Sequence, residues 1–337
     1  MLSTENYKKI FQAFNHLKVL IIGDAMLDSY ILGKVDRISP EAPVPVVSVI
    51  KRETRLGGAS NVALNVMSLG AEPILCTVIG NDSKGDEFIR LMEESRMDIS
   101  GIIRSDHRMT TTKYRIIGNN NQMLRVDEET EEELNLVEEN ELIKHIFGIL
   151  NEGKTDIIIF EDYDKGCITS AVIEKVCEKA SEISIPVVVD PKFRNFRNYK
   201  NITLFKPNLK ELRDGLSVEA GPHLNEELKK NIAYLHTSQN IQVVLTTLSE
   251  KGVLISYRTV SNKIKFLHIP ALIRSVADVS GAGDTLIGTA ALCIALKLPP
   301  EQIAVISNLA GGLVCEEPGV KPVEKEKLLN ELISLSH

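Results

Sequence analysis

The chain has 337 residues, 43% of them hydrophobic and 25% charged, with a net charge of −7. That length holds one large domain or two small ones, and the mix is that of a water-soluble globular protein. No Lys/Arg run forms a basic stripe, which argues against nucleic acid and against an anionic membrane as partners.

The first residues, MLSTENYKKIFQAFNHLK, are amphipathic and carry no apolar signal stretch with a cleavage site. No segment approaches bilayer-spanning length. Val19 to Gly23 (VLIIG) reads as a buried strand, and 58–69 as a helix with Val62, Val66 and Leu69 at helical spacing. Residues 74–79 read as strand and 85–94 as helix. Further strands are expected at 157–160, 187–190, 203–206 and 243–247. Helical patterns fall at about 132–150, 168–183, 225–238, 284–297 and 300–314. This alternation implies an α/β fold with a mostly parallel sheet covered by helices on both faces. The five cysteines (Cys76, Cys167, Cys177, Cys293, Cys315) are scattered and mostly in apolar contexts, with no metal-type spacing. Buried free thiols fit a reducing compartment, so a cytoplasmic protein is expected.

Two segments break the rhythm. Asp28 to Arg52 contains SPEAPVPVV, whose prolines forbid helix, and the placing of Val44, Val46 and Val47 suggests edge strands. Ile102 to Asp127 reads as two strands joined at Gly118–Asn121, a hairpin signal. The expectation is a single domain over 1–337, with a small β-sheet lid built from about 30–52 and 102–127.

The chemistry concentrates near the C-terminus, in ADVSGAGDTLIG from Ala277 to Gly288. Glycines let backbone N–H groups approach a ligand, and a helix N-terminus adds unpaired donors and a positive dipole end. Gly281, Ala282 and Gly283 before a helix therefore make a candidate anion hole. Asp284 is either a plain helix-capping acid or a reactive carboxylate, and the spacing alone leaves both open. An anion hole beside a carboxylate suits phosphoryl transfer. No Walker A lysine follows the glycines, and GxGxxG is missing after the first strand. In RLGGASNVALNV, Gly57, Gly58 and Asn61 either bring amide groups to sugar hydroxyls or form a tight strand–helix turn. Asn208 and Glu211 either order Mg²⁺ through water or form a capping box.

Taken in order, GGxxN at Gly57, NLKE at Asn208–Glu211, TTLSEKG at Thr246–Gly252 and DVSGAGDTLIG resemble the motifs of the PfkB/ribokinase family of sugar kinases, over nearly the whole chain. GDAMLDSYILGKVDRISPEAPVPVV, QMLRVDEE, EDYDKG and VVVDPK resemble one branch of it, the kinase domain of bacterial bifunctional heptose kinase/adenylyltransferases. The resemblance implies a ribokinase-like fold and an ATP- and Mg²⁺-dependent kinase. In that branch the substrate is D-glycero-β-D-manno-heptose 7-phosphate, phosphorylated at O1 on the route to lipopolysaccharide. The branch carries a further nucleotidyltransferase domain. The chain stops at His337, so the resemblance leaves adenylylation to another protein.

By resemblance, Asp284 is the base and Gly281, Ala282 and Gly283 hold the moving phosphoryl group. Asp28, Gly58 and Asn61 hold sugar hydroxyls, with Asp24 either beside them or simply ending a strand. A sugar phosphate needs cationic contacts, because a dianion is costly to desolvate unpaired. Arg125 and Lys165 lead there, with Lys113, Arg115 and Lys192 as further candidates. Lys192, Asn208, Thr247, Ser249, Gly252 and Asn308 would contact the nucleotide. Glu211 would organise Mg²⁺, and Asp278 a monovalent cation such as K⁺ or simply a loop. His107, His223 and His236 show no nucleophile or metal pattern. The family's lid pairs between subunits, which implies a homodimer. The alternatives are a kinase for another sugar, sugar phosphate or nucleoside, and a non-catalytic sugar- or nucleotide-binding regulator, which the intact Asp284 disfavours. An NAD-dependent oxidoreductase is disfavoured by the missing fingerprint.

Overall fold

A computed structural model describes residues 2–218, 226–272 and 274–335. In chain order the elements are α1 (Thr4–Ala13), β1 (Lys18–Gly23), β2 (Ala25–Ile38), β3 (Pro45–Gly58), α2 (Ala59–Ser68), β4 (Glu72–Gly80), α3 (Ser83–Glu94) and β5 (Ile102–Ser105). There follow β6 (Thr112–Gly118), β7 (Asn121–Glu128), α4 (Leu136–Asn151), β8 (Ile157–Glu161), α5 (Ser170–Glu182), β9 (Val187–Asp190) and β10 (Leu204–Phe205). The rest are α6 (Leu209–Leu216), α7 (Glu226–Ser238), β11 (Val243–Thr247), β12 (Val253–Arg258), β13 (Ile264–Ile269), α8 (Ala282–Ala295), α9 (Pro300–Val314) and α10 (Lys325–Ser334).

The large sheet runs β13-β12-β11-β10-β9-β8-β1-β4-β5. It is parallel from β5 through β11, and β12 and β13 add antiparallel strands at one edge. The central strands are continuous apolar runs because both faces are covered. In β1, Val19 and Ile21 point into a core shared with α1, α2, α8, α9 and α10. Leu20 and Ile22 point into the opposite core, built with α4, α5, α6 and α7. This is the two-faced α/β arrangement that the alternating pattern implies.

The smaller sheet runs β3-β2-β6-β7. The long β2–β3 hairpin pairs antiparallel, and β2 accepts β6 in parallel. The turn between β6 and β7 falls at Asn119 and Asn120, both at positive φ (50° and 64°), which suits a two-residue hairpin. One boundary differs from expectation. Residues 102–105 form β5, which pairs with β4 at the edge of the large sheet, so only 112–128 of the second segment joins the small one. The expected strand at 203–206 shortens to two paired residues, and the described part of the expected helix at 225–238 is helical from Glu226 to Ser238. Residue 225 and His223 lie outside the described residues.

Candidate active site

The parallel strands all point their C-terminal ends toward one rim, the place where open α/β sheets bind ligands. Four residues arrive there from successive strands: Asp24 just after β1, Glu161 ending β8, Asp190 ending β9 and Lys206 just after β10. All four are buried. The N-terminus of α8 points at the same rim.

Gly281 precedes α8 with φ +80°, a left-handed conformation that favours glycine. The first N–H groups of a helix have no intrahelical acceptor. Here that of Ala282 turns back to the Val279 carbonyl at 3.3 Å, so the expected anion hole narrows to its neighbours. A Cβ on Gly283 would sit 3.5 Å from Lys206 Nζ and 3.8 Å from Asp190 Oδ2, so an ammonium borders this helix end.

Asp284 stands in the first turn of α8 and is buried. Its Oδ2 accepts from Asn61 Nδ2 at 2.7 Å, and its Oδ1 accepts from the Tyr163 hydroxyl at 2.8 Å. It does not close the helix as a capping acid, since the cap position belongs to Gly281. Burial pushes its carboxyl above the usual range, against the pull of these two donors. Asn61, expected at the sugar, is thus in direct contact with this carboxylate. It is braced by Asn65, whose Nδ2 donates to the Asn61 carbonyl at 2.9 Å.

Lys206 Nζ and Asp190 Oδ2 form a buried ion pair at 2.6 Å. Burial alone would depress the Lys206 ammonium, but the carboxylates of Asp190, Glu211 and Glu161 outweigh it and hold it above its ordinary value. Among the described residues, neither oxygen of Glu161 nor Oδ1 of Asp190 finds a hydrogen-bond partner. Sequence reasoning assigned no role to Tyr163, Glu161, Asp190 or Lys206. A signal was present, because each lies at or just after the polar end of an apolar strand run: IIIFE, VVVD and LFK.

On one flank, Asp28 of β2 pairs with Arg115 of β6, whose guanidinium also lies over the Tyr30 ring, 5.5 Å from its centroid. A Cβ on Gly57 would collide with the Asp28 carboxylate, and one on Gly58 (φ +57°) with the Asp24 carbonyl. Asp24 does more than end a strand. It accepts from the N–H groups of Tyr163 (2.8 Å), Lys165 (3.1 Å) and Cys167 (3.0 Å). The candidate phosphate cations all carry carboxylate partners. Lys165 meets Glu129 at 2.8 Å and Glu131 at 3.1 Å, and Lys113 meets Glu129 at 2.7 Å. Arg125 bonds Asp127 at 3.0 Å and is half exposed.

On the other flank, Asn208 and Glu211 form a reciprocal capping box on α6, with each bond at 2.8 Å. The remaining Glu211 oxygen pairs with Lys192, whose Nζ lies over the Tyr163 ring, 5.2 Å from its centroid. The Thr247 N–H donates to the Pro207 carbonyl at 3.1 Å, which brings Thr247 beside Asn208. Ser249 lies in the turn before Gly252 (φ +89°), which packs against the backbone of Ile269–Ala271. Asn308 donates to the Pro270 carbonyl at 3.0 Å, so it meets the same segment. Asp278 accepts from the N–H groups of Ser280 (2.9 Å) and Gly319 (3.0 Å) and ties the loop before α8 to the segment after α9. His236 is a buried structural histidine, with ring nitrogens 2.7 Å from the Ile241 carbonyl and 2.8 Å from the Ser256 hydroxyl.

Among the described residues, no group of three or more His, Cys, Asp or Glu side chains is placed to hold a metal ion alone. Magnesium in phosphoryl-transfer sites keeps several waters and leans on substrate phosphates, so it needs no such cage. Asn208 and Glu211 offer hard oxygens of the kind a hydrated, nucleotide-borne ion takes, each with one partner already within the protein.

The family model for pfkB family carbohydrate kinases matches residues 16–327. The bifunctional protein HldE of a Caulobacter species is 38% identical over 330 residues, covering 98% of this chain and 64% of the relative. That of Citrifermentans bemidjiense is 34% identical over 327 residues, covering 96% and 65%. The chain thus spans just under two thirds of the length of these relatives. Among solved structures, Escherichia coli phosphofructokinase-2 with substrates and products superposes with a TM-score of 0.78 at 17% identity, covering 95% of this chain and all of that one. Ribokinase of Thermotoga maritima gives 0.66 at 18% identity, covering 94% and 99%. With a mostly parallel sheet, a glycine-opened helix end and a buried carboxylate at that end, the chain belongs to the pfkB family and is a carbohydrate kinase.

Proposed function

We propose that the chain phosphorylates D-glycero-β-D-manno-heptose 7-phosphate at O1, using ATP and Mg²⁺. The observation that carries the chemistry is Asp284, a buried carboxylate held by two donors at the α8 N-terminus, with Lys206 bordering the glycines. Asp284 takes the proton of the acceptor hydroxyl as that oxygen attacks the γ-phosphorus and the bond to the ADP oxygen breaks. The first-turn N–H groups around Gly283 and the Lys206 ammonium stabilise the negative charge of the transferring group. The chemistry that Mg²⁺ supplies is neutralisation of the phosphate oxygens. Asn208 and Glu211 would orient its water shell, and Lys192 would meet the phosphates. Thr247, Ser249, Gly252 and Asn308 frame the base and ribose, and Asp278 serves a monovalent cation.

The heptose assignment rests on the HldE relatives, which align with this chain over their kinase-sized portion. Asp28, Gly58 and Asn61 face the sugar. Lys165, Arg125, Lys113 and Arg115 supply the charge for a substrate phosphate. The small sheet acts as the lid. Its exposed apolar residues, among them Val49, Ile50, Met123, Leu124 and Val126, support pairing of two lids in a homodimer. A solution mass of one chain would refute that pairing.

A second reading is favoured by one observation. These four cations are already compensated by Asp28, Asp127, Glu129 and Glu131, which suits an uncharged sugar. ADP release with Mg·ATP and K⁺, against heptose 7-phosphate, fructose 6-phosphate, ribose and a free heptose, separates the two. Selective turnover of heptose 7-phosphate supports the first. Turnover of free sugars alone overturns it.

A further inference from the structure

The Asp284 carboxylate is gripped from two sides. Asn61 of α2 holds Oδ2, and the Tyr163 phenol holds Oδ1. The two donors come from different elements, so together they fix the rotation of the carboxylate about its Cβ–Cγ bond. Tyr163 is delivered by the loop after β8, and that loop is built in advance. Asp24 accepts three of its N–H groups, Asp164 holds a left-handed φ of 56°, and Gly166 (φ +83°) packs against the Glu132 backbone. Anchoring runs through the backbone of Tyr163, which leaves the phenol free for another task. The face of the same ring carries the Lys192 ammonium, which pairs with Glu211. One side chain therefore touches the carboxylate with its hydroxyl and the nucleotide-side cation with its ring.

We propose that Tyr163 is a positioning residue for phosphoryl transfer: its hydroxyl aims the Asp284 carboxylate at the acceptor hydroxyl, and its ring seats Lys192 on the phosphate side. This rests on the reading of Asp284 as the base. The phenol keeps its own proton throughout. Burial and the carboxylates of Asp284, Glu161 and Asp190 push it well above its ordinary value, so it remains a donor. The charged groups that act on Asp284 alongside Tyr163 and Asn61 are Asp190 and Lys206, with Glu161 bordering the same cluster.

The test compares Tyr163→Phe, Tyr163→Leu and Asp284→Asn, each shown folded by thermal melting, with heptose 7-phosphate, fructose 6-phosphate and ribose as acceptors. Phenylalanine keeps the ring and removes only the donor. We expect kcat to fall about tenfold with the KM for Mg·ATP unchanged, as for loss of one hydrogen bond to a charged group. The acidic limb of the kcat profile should also move to higher pH, because the lost donor had favoured the ionised carboxylate. Leucine should add a rise in KM for Mg·ATP, since Lys192 loses its seat. A Tyr163→Phe enzyme with an unmoved acidic limb overturns the proposal, including the case where only its melting temperature drops. Near-normal turnover in Asp284→Asn would instead sink the reading of the base itself, so the two failures are distinguishable.

Discussion

Lys206 Nζ lies 2.6 Å from Asp190 Oδ2, and both side chains are about 95% buried, at the ends of neighbouring strands. A buried pair of this kind gives little net stability over apolar replacements, but breaking it is costly. Lys206→Met would strand Asp190, whose Oδ1 already lacks a hydrogen-bond partner among the described residues, next to Glu161. We expect a loss of about 3–5 kcal/mol in urea unfolding. The double variant Lys206→Met/Asp190→Asn should recover much of that, because the two sites share one interaction. A single-variant cost under about 1 kcal/mol would show that water reaches the pair.

Asp284→Asn keeps the shape of the side chain and its place in the first turn of α8. The amide cannot take a proton, so kcat should fall about 10²–10⁴-fold while ATP affinity stays near normal. Stopped-time ADP assays and calorimetric titration of Mg·ATP measure the two independently. Parallel loss of both would point to a collapsed helix end instead.

The architecture was largely legible because parallel strands buried on both faces leave unbroken apolar runs such as VLIIG and VVVD. The antiparallel edge was not. β13 alternates partly buried with exposed residues and includes Lys265, so it reads as loop. β5 is four residues long, and its continuity with the following hairpin drew it into the wrong sheet. Within the site, Gly281, Gly283 and Asp284 were legible because one helix start holds them together. Tyr163, Lys206, Asp190 and Glu161 meet only after distant strands align, so the polar ends of their strand runs do not show locally that they converge. The contact of Asn61 with Asp284 was not legible, since their distance is set by the packing of α2 on α8.

Gly281 and Gly283 should respond differently to alanine. At Gly281 the positive φ costs an alanine about 1–2 kcal/mol. Its Cβ would also come within 2.9 Å of Asn61 Nδ2, on a side-chain amide whose Oδ1 accepts from Asn65 Nδ2 at 3.3 Å. Gly281→Ala should therefore melt lower, by about 2–4 °C, and lose turnover as Asn61 is displaced from Asp284. At Gly283 the new methyl meets only ordinary contacts, at 3.5 Å from Lys206 Nζ and 3.8 Å from Asp190 Oδ2. Gly283→Ala should melt like the parent yet lose turnover, because the methyl fills the space against the ammonium. Equal activity in Gly283→Ala and parent would remove that space from the phosphoryl path.

Glu161 makes the stability of the protein depend on pH in a direction opposite to the usual acid-labile carboxylate. It is fully buried, and neither oxygen has a hydrogen-bond partner among the described residues. Burial first, then the charges of Asp190 and Asp284, raise its carboxyl well above the ordinary value of 4.5, against the pull of Lys206 and Lys192. Below the unfolded value, both folded and unfolded chains carry the proton and the group costs nothing extra. As pH rises past it, the unfolded chain releases the proton while the folded chain keeps it. The folded state then binds more protons, and stability falls with pH until the folded value is passed. Glu161→Gln removes this titration and keeps the shape. The variant should match the parent near pH 4 and gain on it as the pH is raised above the ordinary carboxylate range in parallel thermal melts. A difference that stays constant over that rise would mean that Glu161 is ionised in the folded protein and compensated by Lys206.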